Sequence, residues 1–247
     1  MLKLMKYEFR KQLNSKLAIM AILGLLEIYF LYGVLANKQT AEVRATMLLS
    51  LLAVISILYV SFECILTFNN DLRTKQSYML FLTPQSTYSI VGAKILTAGI
   101  QIILVGCLFG LTAVLDIYAI LSKNGQVSSL LDYITEMIKT VFSIEVSVSN
   151  LLMTLFQIVV EWTLVVIIGM LAITLSATFM ANTKLRSVVS FALFLALNIG
   201  VGKISKALFG SIVQNSGELI CVLLFYAVIA VAAYFATSLM LQKKVSV

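Results

Sequence analysis

Six stretches of this sequence are long and apolar enough, or nearly so, to cross a lipid bilayer. A transmembrane helix needs about 20 apolar residues to span a hydrocarbon core of about 30 Å. The chain is 61% hydrophobic and only 12% charged, which lies outside the usual range of soluble domains. We therefore predict an all-α polytopic membrane protein with a single transmembrane domain over residues 1–247. The predicted spans are residues 17–36, 45–68, 93–115, 151–180, 187–202 and 219–241.

The fifth stretch is the shortest, at 16 residues. It either crosses with little tilt or is completed by the segment that follows. In that segment, 203–218, Ile204, Leu208 and Ile212 recur at four-residue spacing. A similar apolar periodicity between residues 130 and 141 predicts an external interfacial helix.

Lysine and arginine residues are distributed unevenly between the two sides of the predicted membrane domain. With the N-terminus inside, the inner segments carry twelve of them and the outer segments carry six. Positive charge accumulates on the cytoplasmic side of membrane proteins. We therefore predict a multi-pass protein of the cell membrane with both termini in the cytoplasm.

The first 16 residues have the pattern of an amphipathic interfacial helix. Apolar residues recur at helical spacing, and charged or polar residues occupy the other side. Such a helix suits the surface of an anionic inner leaflet, so membrane lipids are predicted partners. A signal peptide is the competing interpretation, but no small-residue cleavage site follows. The apolar side carries Leu2, Met5, Phe9 and Leu13, and the other side carries Lys3, Lys6, Glu8, Arg10, Lys11 and Gln12.

Residues 71–86, between the second and third spans, form the most distinctive loop. They contain Pro84, the only proline of the chain. A proline disfavours helical geometry in the residue before it, so a short helix over 72–82 should end there, and Ser86 can cap the next helix. Exposed apolar clusters usually mark a contact surface, although a helix lying on the inner leaflet is the alternative. The predicted contact residues are Arg73, Tyr78, Met79, Phe81, Thr83 and Pro84.

Three passages resemble the type-2 ABC exporter permeases, the ABCG-like membrane subunits that are encoded separately from their ATPase. Leu82-Thr-Pro-Gln-Ser86, followed by Ile90-Val-Gly-Ala-Lys94, is similar to the cytoplasmic loop of that family. Residues 174–186 are similar to its inner loop between spans four and five, and residues 234–245 to its C-terminal end.

This resemblance implies that residues 71–86 form a coupling helix that docks on a separate ABC ATPase subunit. It also implies a second permease copy or a sister permease, and a translocation path for an amphipathic or hydrophobic substrate such as a peptide antibiotic, a drug or a lipid. Relatives of this kind often protect bacteria from antibiotics. The segment 203–218 would then be a reduced form of the short re-entrant helices of that family, or a helix that rests on the outer headgroups.

Three acidic residues lie within predicted spans, where a charge costs several kcal/mol. Glu27 and Glu161 either line a translocation cavity that favours cationic or amphipathic substrates, or are protonated and hydrogen-bonded between helices. Glu63 lies toward the inner end of its span and is expected to reach the interface or pair with a cation there.

Glycines in the third span predict close helix packing. Gly99 and Gly106 are seven residues apart, and Gly106 with Gly110 makes a G-x-x-x-G pair. Small residues on one stripe let helices approach closely in lipid. The partner is either another helix of this chain, which we favour, or a second copy.

Several functions are disfavoured by what the sequence lacks. It contains no histidine and no G-x-x-x-x-G-K-[ST] loop, and its three cysteines lie in apolar runs. We therefore predict a non-enzymatic transport subunit with no cofactor or metal site, whose ATP hydrolysis takes place on a partner chain. The net charge of +7 is placed at span ends and does not predict nucleic-acid binding. The alternatives are an ATP-independent secondary transporter and a non-transporting membrane scaffold.

Overall fold

Long helices dominate the computed structural model of the chain. It describes residues 2–73, 86–125, 129, 132, 134–136, 148–179, 186–210 and 216–244, and no strand occurs among them. The longer helices are α1 (Leu2–Lys11), α2 (Leu13–Leu35), α3 (Gln39–Arg73), α4 (Thr87–Lys123), α5 (Val148–Phe179), α6 (Arg186–Phe209) and α7 (Ser216–Lys244).

Each of the six helices α2 to α7 is long and apolar enough to cross a membrane. Their outward-facing residues are apolar as well, since Leu25, Ile28, Leu111 and Val228 are each more than 60% exposed. Helices that are apolar on their outer faces need lipid around them, because contact between so much apolar surface and water is unfavourable. The prediction of an all-α multi-pass membrane protein is confirmed.

Two helices extend well beyond their predicted spans. α3 has 35 residues and α4 has 37, and each is therefore about 50 Å long at 1.5 Å per residue. Each helix is therefore longer than a hydrocarbon core of about 30 Å. The sequence pattern detected only the most apolar part of each helix, because hydropathy does not register the helical residues that flank an apolar run.

The fifth span is completed by the segment that follows it. α6 continues without a break through Lys203, Ile204 and Leu208 to Phe209. It stops at Gly210, whose φ of 80° is left-handed, a conformation that glycine adopts readily at helix ends. Ile212 lies outside the described residues.

The described residues form two compact units, to both of which α3 and α4 contribute. The first unit comprises Met1–Phe9, Ser61–Ile100 and Leu152–Val247, and the second comprises Arg10–Val60 and Gln101–Leu151. Each has its own apolar core. The core of the first unit includes Cys64, Phe68, Val91, Val166 and Met170. The core of the second includes Leu23, Phe30, Val34, Ala45 and Leu49.

The predicted packing glycines behave differently from one another. A Cβ placed on Gly99 would lie 3.5 Å from Thr163 Oγ1 of α5, which is ordinary contact. A Cβ on Gly106 or Gly110 would meet no described atom within 4 Å. Packing of Gly106 and Gly110 against another described helix is therefore not observed. A tighter approach occurs at Gly169, where a Cβ would lie 2.5 Å from Ile65 Cδ1.

A tight hairpin joins α2 to α3. Asn37 adopts a left-handed φ of 54°, and the Lys38 amide donates to the Gly33 carbonyl at 3.0 Å. The Asn37 amide donates to the Val34 carbonyl at 3.3 Å. These two bonds form a Schellman motif, which satisfies carbonyls at the end of a helix. Across the turn, a Cβ on Gly33 would lie only 2.9 Å from the backbone nitrogen of Glu42.

Candidate functional site

A buried group of three charged side chains connects three helices of the first unit. Lys94 Nζ of α4 donates to Glu8 Oε1 of α1 at 2.5 Å and to Asp71 Oδ2 of α3 at 2.5 Å. Glu8 is 5% exposed, and Lys94 and Asp71 are each 6% exposed. We refer to Glu8, Asp71 and Lys94 as the ion-pair cluster.

The ion-pair cluster joins the two helix ends that border residues 74–85 in the sequence. Asp71 is two residues from the end of α3, and Lys94 is two turns into α4. The Ser86 hydroxyl accepts a hydrogen bond from the Ser89 amide at 3.3 Å, which confirms the predicted cap of this helix. The cluster therefore connects α3 and α4, which border residues 74–85 in the sequence, and it also connects both helices to α1.

The surroundings of the ion-pair cluster make its charges interdependent. Phe68 and Val91 of the neighbouring apolar core are almost fully buried. A charge removed from water in such surroundings is costly unless it is paired. One ammonium group serves two carboxylates here, so loss of Lys94 would leave both acids without this partner.

Sequence periodicity assigned Glu8 to the wrong side of the N-terminal helix. Glu8 is buried rather than exposed, while Leu2 and Leu13 of the predicted apolar side are exposed. Met5 and Phe9 are half-buried. Glu8 can be buried because Lys94, which is 86 residues away in the chain, supplies its counter-charge. A pattern read within one helix contains no signal for such a distant partner.

Most of the predicted coupling residues lie outside the described residues. These are Tyr78, Met79, Phe81, Thr83 and Pro84. Arg73 is the last residue of α3. The coupling role of these residues stays a prediction.

A second polar contact lies within the apolar helices of the second unit. The carboxyl groups of Glu27 in α2 and Asp116 in α4 lie close enough to interact electrostatically. Asp116 is only 9% exposed, and Glu27 Oε1 is buried with no hydrogen-bond partner among the described residues. Two carboxyl groups this close repel each other if both are ionised. Asp116 was not among the predicted membrane acids because the third predicted span ends at residue 115.

The other two membrane acids have separate surroundings. Glu161 Oε1 accepts a hydrogen bond from Gln157 Nε2 at 3.0 Å, one turn earlier in α5. This partner lies in the same helix, whereas the sequence predicted either a translocation cavity or hydrogen bonds between helices for Glu161. Glu63 is half-buried in α3. Glu27 belongs to the second unit, whereas Glu63 and Glu161 belong to the first.

The fold defines the class of this protein as an all-α, multi-pass membrane protein. Comparison of the chain with protein-family models, curated proteins and solved structures finds no match. Arguments about its function therefore rest on its own residues and contacts.

Proposed function

We propose that this chain is the membrane-spanning permease subunit of an ATP-driven ABC exporter. The observation that carries the proposal is the ion-pair cluster, which joins the helix ends on either side of residues 74–85 in the sequence. A partner that binds residues 74–85 can move the spans only if these helix ends are firmly connected to them, because a loosely held helix end would move alone. Lys94 links the end of α3, the start of α4 and α1, so these elements can move as one body.

Features of the sequence support the same function. The passage 82–94 resembles the cytoplasmic loop of ABCG-like permeases, and residues 174–186 and 234–245 resemble two further segments of that family. The chain has no nucleotide-binding P-loop. ATP would therefore be hydrolysed on a separate ATPase subunit. The permease would pair with a second copy or a sister permease in a bacterial cell membrane, with both termini in the cytoplasm. An amphipathic peptide, drug or lipid is the substrate class that we propose.

Truncation of two loop aromatics tests this function. We expect Tyr78→Ala with Phe81→Ala to insert normally into membranes but to lose the ATPase. Aromatic hot-spot residues contribute about 2 kcal/mol each, so loss of both should weaken binding by roughly a thousandfold. The measurement is co-purification from detergent with any ABC ATPase that is encoded beside this chain.

The control for that experiment is Tyr118→Ala with Phe156→Ala. Both residues are exposed aromatics of the apolar helices α4 and α5, so this pair should retain the ATPase. Recovery of the ATPase with the loop variant at wild-type stoichiometry would contradict the proposal.

The pair of Glu27 and Asp116 favours a second candidate, an ATP-independent secondary transporter driven by protons. Neighbouring carboxyl groups in an apolar region are the kind of group that proton-coupled carriers use. We expect such a carrier to accumulate amphipathic drugs in vesicles under a pH gradient without any ATPase, and Asp116→Asn to abolish this uptake. Asp132→Asn is the control, because it makes the same change at an exposed acid. Uptake that needs ATP and the partner chain would exclude this candidate.

A further inference from the structure

One face of α1 is basic and exposed. Lys3, Lys6, Tyr7 and Arg10 follow the spacing i, i+3, i+4 and i+7, which places them together on one side of a helix. All four side chains are exposed. We refer to these four residues as the basic face.

The ion-pair cluster holds the basic face outward. Glu8, the only acid of α1, lies on the opposite side of the helix and is buried against Lys94. Met5 and Phe9 are half-buried. An ordinary interfacial helix inserts its apolar side into the bilayer. In α1 much of the apolar side is covered by protein. The exposed basic face can therefore bind a membrane mainly through electrostatic attraction.

We propose that the basic face is a binding site for the phosphate groups of anionic lipids. It carries three cations and no acid, so its charge complements an anionic headgroup layer. Its position favours lipid over a soluble protein, because α1 ends at Lys11 and the first apolar helix begins at Leu13. Tyrosine is also common at the level of the headgroups.

Through this site, lipid composition can affect the mobility of the helix ends beside residues 74–85. An anionic lipid bound to the basic face restrains α1, and Glu8 passes that restraint to Lys94 and Asp71. The inference does not depend on the exporter proposal, since lipid binding at α1 needs no ATPase.

The test follows a probe inside the basic face. Cys64, Cys107 and Cys221 are replaced by alanine, and a nitroxide is attached to Tyr7→Cys in the full-length chain. Its electron paramagnetic resonance spectrum is compared in vesicles of phosphatidylcholine alone and in vesicles that also contain phosphatidylglycerol. We expect phosphatidylglycerol to immobilise the probe and high salt to reverse this effect.

Variants identify which cations are responsible. Each cation near an anionic surface contributes about fivefold to binding. Lys3→Gln, Lys6→Gln and Arg10→Gln together should therefore raise the phosphatidylglycerol fraction needed for half-maximal immobilisation by more than about tenfold. The control, Lys203→Gln with Lys206→Gln, removes two exposed cations of α6 and should leave the response unchanged.

Three results would overturn the proposal. The probe could give the same spectrum in both kinds of vesicle, or its response could survive in the triple variant. Inorganic phosphate could also immobilise it equally in neutral vesicles, which would assign the face to free phosphate. Hydrogen exchange of the α1 amides in the unlabelled chain provides a second readout, with slower exchange expected in phosphatidylglycerol.

Discussion

Lys94→Met should lower the free energy of unfolding by about 3–5 kcal/mol, because it takes the Lys94 ammonium group away from two buried carboxylates. Glu8 and Asp71 are each at least 94% buried, so water cannot readily replace the lost ammonium group. Unfolding of the purified chain in detergent, followed by circular dichroism, measures the change.

Lys123→Met is the matched control, because it removes another lysine of the same helix. Lys123 pairs with Glu42, and the lysine side chain of that pair is 28% exposed. A partly exposed pair contributes about 0–1 kcal/mol. Equal losses in Lys94→Met and Lys123→Met would contradict our account of the ion-pair cluster. Adding Glu8→Gln and Asp71→Asn to Lys94→Met should restore most of the loss, since no uncompensated charge remains.

Gly33→Val should be the second strongly destabilising change. A Cβ on Gly33 would lie 2.9 Å from the nitrogen of Glu42 and 3.2 Å from the carbonyl carbon of Ala41. Both are backbone atoms, so the whole turn would have to move. Overpacking of this kind costs about 1–3 kcal/mol, and the branched side chain places the loss at the upper end. The same unfolding measurement applies.

Gly24→Val is the control for this prediction, because it makes the same substitution in the same helix. No described atom lies within 4 Å of a Cβ at Gly24, so valine there should change stability little. A loss at Gly24 as large as that at Gly33 would show that valine disturbs α2 itself rather than the hairpin.

The sequence predicted the architecture well because each span is recognisable from the length and apolar character of its own residues. Ser86 was recognisable as a cap for the same reason, since its hydroxyl bonds an amide three residues away. The key contacts of the ion-pair cluster and of the carboxyl pair are different in kind. Glu8 and Lys94 are 86 residues apart, and Glu27 meets Asp116 on another helix. Such contacts depend on how helices pack, which periodicity within one helix does not encode.

Glycine spacing was also an incomplete guide. Gly106 and Gly110 have the expected G-x-x-x-G spacing but face no described neighbour. Gly33 and Gly169 have close neighbours, although neither belongs to a G-x-x-x-G pair. Whether a helix approaches a glycine closely depends on the partner's backbone and side chains, here Glu42 and Ile65.

The short link between α2 and α3 has a consequence for how the chain is made. Only residues 36–38 separate the two helices, and three residues reach at most about 10 Å, a third of a hydrocarbon core of about 30 Å. The first residues of α3 must therefore cross the membrane together with the end of α2, because the link is too short to leave α3 on the side where synthesis takes place. We expect the two helices to leave the translocon together as one inserted pair.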